Sequence, residues 1–82
     1  MVNVAFDSMF KKRVKKIKDK ALKGKVKKQI AKIIDNPDIG MPMRFSRKGT
    51  REVYVAPFRL SYMYVQSEDT VVFLDLYHKD KQ

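Results

Sequence analysis

The chain has 82 residues, 19 Lys and Arg against 9 Asp and Glu, a formal net charge of +10, and no cysteine. At this length it supports one core, burying roughly 60–65% of the surface its unfolded form exposes, and without thiols it has neither a disulfide framework nor a thiolate zinc site. One histidine and scattered carboxylates make no metal-ligand set, no apolar run approaches the roughly 18 residues of a membrane span, and the N-terminus lacks the apolar segment of a signal peptide. A single-domain, soluble, cytoplasmic protein without a cofactor is expected.

The charge is uneven. Residues 1–36 hold 12 Lys/Arg against 3 Asp/Glu, and residues 37–82 hold 7 against 6. A basic surface of this kind attracts polyphosphates and speeds association with them, or meets an acidic protein partner. It is equally what a solvated, lysine-rich helical face looks like.

Val2-Asn3-Val4-Ala5-Phe6 alternates as a short strand does. Asp7 or Ser8 then offers a side-chain oxygen to the free amides of a first helical turn. Phe10, Val14, Ile17 and Ala21 recur on one helix face, and Leu22, Val26, Ile30, Ile33 and Ile34 form a second series displaced from the first. The displacement predicts two helices with a break near Lys18 to Ala21, although Gly24 inside the second costs roughly 1 kcal/mol relative to Ala. Asn36-Pro37 ends that helix, because the residue before proline is pushed out of the α region. A basic loop carrying Arg44, Arg47, Lys48 and Arg51 follows, broken by Gly40, Pro42 and Gly49.

From Arg51 onward the chain is dense in β-branched and aromatic residues. Pro57 cannot donate a ladder hydrogen bond and belongs in a turn, and Gln66-Ser67-Glu68-Asp69 supplies a second break. Strands near 51–56, 58–66 and 70–78 follow. The expected fold is α+β, in the order β-α-α-β-β-β, with two helices packed on one face of an antiparallel sheet.

The order of elements, Pro42-Met43-Arg44 after the helix-ending Asn-Pro, the run Val53-Tyr54-Val55-Ala56-Pro57-Phe58-Arg59-Leu60-Ser61-Tyr62, and Leu76-Tyr77-His78-Lys79 resemble the RelE/ParE toxin superfamily over nearly the whole chain. The resemblance implies the toxin of a type II toxin–antitoxin pair, with a cognate acidic antitoxin as partner. RelE-like members cleave mRNA in the ribosomal decoding site; ParE-like members act on DNA gyrase. RelE-like cleavage needs a base for the 2′-OH, cations at the phosphorane and an acid for the leaving 5′-oxygen, and no metal.

Under that resemblance Arg59 matches the arginine that holds the scissile phosphate, and its guanidinium suits the task because it is always charged and offers paired donors. The plainer alternative is an arginine in an ordinary ion pair. His78 matches a strand-end histidine used by some relatives as acid or base, and Lys79 the basic residue after it; a backbone-bonded histidine and a solvated lysine are the alternatives. Glu52 and Tyr54 stand where RelE-like enzymes carry two lysines. Glu52 is a candidate base or an exposed strand glutamate, and Tyr54 a proton donor, a stacking ring or a half-buried strand residue. Arg44, Arg47, Lys48 and Arg51 are candidate RNA-backbone contacts. The leading expectation is a ribosome-dependent mRNA endonuclease, with a ParE-like gyrase inhibitor or a non-catalytic toxin-fold binding module as the alternative.

Overall fold

The computed structural model describes residues 2–42 and 49–78. Strand β1 (Asn3–Phe6) leads into helix α1 (Ser8–Lys15) and helix α2 (Lys20–Asp35). Then come the two-residue strand β2 (Met41–Pro42), β3 (Thr50–Val55), β4 (Phe58–Val65) and β5 (Thr70–His78). Among the described residues no helix is long and apolar enough to cross a membrane.

The capping chemistry sets both helix starts. Asp7 accepts from the Met9 amide at 2.9 Å, and Asp19 accepts from the amides of Ala21 and Leu22. The break between the helices therefore spans Lys16 to Asp19, and Ile17 drops into the core from the connector. At the other end of α2, Asn36 is extended, as its proline neighbour requires.

The sheet has five strands in the order β1-β5-β4-β3-β2. The strands β3, β4 and β5 run antiparallel as expected, but β1 lies parallel to β5, so the sheet is mixed. Alternation within a strand does not encode the direction of a neighbour 67 residues away; the path through both helices does. The short β2, paired through Met41 with Glu52 and Pro42 with Arg51, is an element the sequence pattern lacks. Pro57 sits in the β3–β4 turn after a cis peptide bond, and a 3-10 turn at Gln66–Glu68 joins β4 to β5 through Asp69 in the left-handed region.

Directly opposed residues share a sheet face, and successive residues alternate. The rows Val53–Leu60–Leu76 and Arg51–Tyr62–Phe73 face the helices, where Phe10, Ile17, Val26 and Ile33 complete the core. Phe6, Phe10 and Phe73 pack ring to ring with centroids 5.3–5.9 Å apart. At 6.2 Å, Tyr62 adds a fourth ring; its hydroxyl accepts from the Gly40 amide and donates to the Pro37 carbonyl, which fixes the loop after α2. That loop passes so close that a β-carbon on Gly40 would lie 2.6 Å from the Tyr62 oxygen.

One irregularity decides which residues reach the other face. Tyr62 opposes Phe73 and Ser61 opposes Asp75, so Leu74 is an extra residue, a β-bulge. Beyond it the inward positions of β5 shift from odd to even numbers.

Candidate functional site on the open sheet face

Two cross-strand rows occupy the face turned away from the helices: Tyr54–Arg59–Tyr77, and beside it Glu52–Ser61–Asp75. The Arg59 guanidinium lies 3.3 Å from a Glu52 carboxylate oxygen. The two partners differ in exposure: the Glu52 side chain is 7% exposed and that of Arg59 41%. Glu52 is thus a buried carboxylate under an accessible cation and not the exposed strand glutamate that its place in the sequence suggests. Tyr54 is 54% exposed, and Tyr77 is half-buried. Arg13 of α1 reaches Asp75 at 3.6 Å, a partly exposed ion pair between that helix and β5.

The register separates His78 from this group. It opposes Phe58, contacts that ring edge-on with centroids 5.7 Å apart, and so belongs to the helix-side face, whereas Arg59 opposes Tyr77. Arg59 and His78 are neighbours along the sheet but on opposite faces of it. His78 borders an open groove of about 950 Å³ whose wall also takes in Lys16, Ile17, Leu22 and Phe58 and, from the neighbouring rows, Ser61, Asp75 and Tyr77; Arg59, Glu52 and Tyr54 are not part of it.

Of the basic-loop candidates, Arg51 is described, and it is engaged in structure. One guanidinium nitrogen donates to the carbonyls of Gly40 at 2.8 Å and Asp38 at 3.2 Å, and another lies 3.6 Å from the Asp38 carboxylate. Arg44, Arg47, Lys48 and Lys79 lie outside the described residues. Tyr77 is the member that sequence reading passed over: strict alternation from Val71 and Phe73 sends it into the core, and only the bulge turns it outward. Among the described residues, no group of His, Asp and Glu could hold a metal ion.

Residues 4–82 match the family model described as ParE toxin of type II toxin–antitoxin system, parDE. The chain belongs to this toxin family. Solved toxins share its fold at low sequence identity. The isolated RelE toxin of E. coli superimposes with a TM-score of 0.82 at 14% identity, covering 100% of this chain and 88% of that one. The YoeB/ParE toxin of Agrobacterium tumefaciens gives 0.84 at 13%, covering 94% and 98%. A chain of the toxin–antitoxin complex RelBE2 of Mycobacterium tuberculosis gives 0.80 at 24%, covering 95% and 98%. Comparison with curated protein sequences gives no significant match.

Proposed function

We propose that this toxin is an endoribonuclease that cuts mRNA on the ribosome, with the open sheet face as its active site. The observation that carries the reading is the pairing of an accessible Arg59 with a buried Glu52, beside the exposed phenol of Tyr54. RNA self-cleavage needs a fixed cation, a base and an acid, and these three side chains supply one of each on a single face. In the proposed reaction the scissile phosphate takes the guanidinium from Glu52 and so uncovers the carboxylate. Glu52 removes the 2′-OH proton, the 2′-oxygen bonds to phosphorus, the bond to the 5′-oxygen breaks, and Tyr54 gives that oxygen its proton. Arg59 holds the charge that builds up on the phosphorane. His78 is assigned no proton, because it stands on the other face. The basic N-terminal half supplies diffuse attraction to ribosomal RNA, and the acidic antitoxin expected for a type II toxin meets the same charge.

Single-turnover cleavage of mRNA on programmed ribosomes tests the reading. Arg59→Ala is expected to slow cleavage by about 10²–10³, the effect of losing one preorganised donor at a developing oxyanion. Glu52→Gln should cost about 10²–10⁴ by removing the base, whereas His78→Ala should leave the rate unchanged. Equal rates for wild type and both of the first two variants would remove the assignment. A second reading, gyrase inhibition, has its own support: the matching family model is the ParE one, and Glu52 and Tyr54 occupy the places of the RelE-like lysines. A wild-type protein that leaves ribosomal mRNA intact and blocks gyrase supercoiling would replace the first reading with the second.

A further inference from the structure

We infer that Tyr77 is a nucleobase platform, and that the row Tyr54–Arg59–Tyr77 binds single-stranded RNA with a phosphate on Arg59 and the adjoining base stacked on the Tyr77 ring. This rests on the endoribonuclease reading above and adds to it a binding residue that neither the sequence pattern nor the comparisons indicate. Three observations lead to it. First, Tyr77 directly opposes Arg59 across β4 and β5, as Tyr54 does across β3 and β4. Neighbouring strands lie about 4.8 Å apart, so the ring stands within one nucleotide of a phosphate held by Arg59. Second, the Leu74 bulge is what brings Tyr77 to this face; bulges beside functional sites commonly re-aim one side chain in this way. A tyrosine turned outward from the strand that supplies Val71, Phe73 and Leu76 forgoes core burial. Third, the backbone of Tyr77 is held in the ladder by its pairing with Arg59, between the Leu76–Leu60 and His78–Phe58 pairs.

Aromatic rings accept any base by stacking, whereas a duplex hides the faces of its bases, so the row selects for single strands and tolerates sequence. The probe is a fluorescein-labelled 2′-O-methyl uridine hexamer, which cannot be cleaved, with binding to the whole protein read by anisotropy. Tyr77→Ala should weaken binding about 5- to 150-fold, the range for loss of one stacked base, and Tyr77→Phe should bind like wild type. A hexamer with one abasic position should be weakened for wild type and little further for Tyr77→Ala, since both changes remove the same stack. Unfolding curves by circular dichroism identify any variant whose loss comes from folding, and Tyr77→Phe keeps the ring in every case.

Tyr77→Ala binding as tightly as wild type, penalties of base removal and Tyr77→Ala that simply add, or a duplex bound as tightly as the single strand would each overturn the platform. Its failure is separable from that of the nuclease. Wild type that binds the hexamer through Tyr77 yet leaves ribosomal mRNA whole keeps the platform and loses the nuclease. Wild type that cleaves, with Tyr77→Ala equal to it in cleavage and binding, keeps the nuclease and loses the platform.

Discussion

Replacing Arg59 by alanine tests more than activity, because the residue beneath it is a buried carboxylate. Removing one partner of a fully buried ion pair costs about 3–5 kcal/mol, chiefly from the charge left behind. Here the Arg59 side chain is 41% exposed, so water screens the pair and reaches the vacated space. Discounting for that exposure gives about 1–2 kcal/mol of lost stability. In a domain of this size such a loss lowers Tm by roughly 5–10 °C. Urea and thermal unfolding of Arg59→Ala should show this loss, and the double variant Arg59→Ala/Glu52→Gln should recover part of it by removing the buried negative charge. Arg59→Lys should fall between. An Arg59→Ala protein as stable as wild type, or a double variant no more stable than the single one, would show that Glu52 does not depend on the guanidinium. The practical consequence is that the activity of Arg59→Ala has to be compared at a temperature well below its own transition.

Other expected outcomes are simpler. Burial raises the Tyr62 phenol above its usual value of 10.0, the Gly40 amide and Arg51 opposing the effect in part. The neutral form is therefore favoured by folding, its contribution is complete below pH 10, and stability falls as pH rises from there through the folded-state value. Tyr62→Phe should reduce that alkaline loss; it should also destabilise at neutral pH by about 1–3 kcal/mol, since the Gly40 amide loses its buried acceptor. Asp19→Ala removes the oxygen that caps α2 and should cost about 1 kcal/mol in urea unfolding. Association with an acidic antitoxin should slow markedly as salt rises from low to physiological levels, and an on-rate independent of ionic strength would remove charge steering as the cause.

Much of the fold is legible in the sequence because several elements carry their own punctuation: Asp7 as a cap, Asn36-Pro37 as a stop, Pro57 in the turn. The displaced stripes of Phe10 and Val14 and of Val26 and Ile33 suffice to separate two helices. The parts that were not legible depend on partners remote in sequence. The parallel pairing of β1 arises from the route of the chain, and β2 exists only because β3 offers an edge beside Gly40. Glu52 is buried although its own stretch of sequence reads as an exposed strand. Above all, a bulge has no signature in the residues of β5 themselves. Val71, Phe73, Leu74, Leu76 and His78 read equally well with either parity, and the pairing with β4 alone shows that Tyr77 joins Arg59 while His78 joins Phe58.

The position of β5 also governs when the fold can close during synthesis. A ribosome makes this strand after every other described element, yet it lies between β1 and β4 and supplies Val71, Phe73 and Leu76 to the core. Until it emerges, β1 has no neighbour, Phe6 and Phe10 have no third ring, and Arg59 has no strand on its Tyr77 side. A nascent chain holding only the β3–β4 hairpin and two amphipathic helices therefore has neither a closed core nor a complete row on its open face. The last strand made completes the core and the open-face row together.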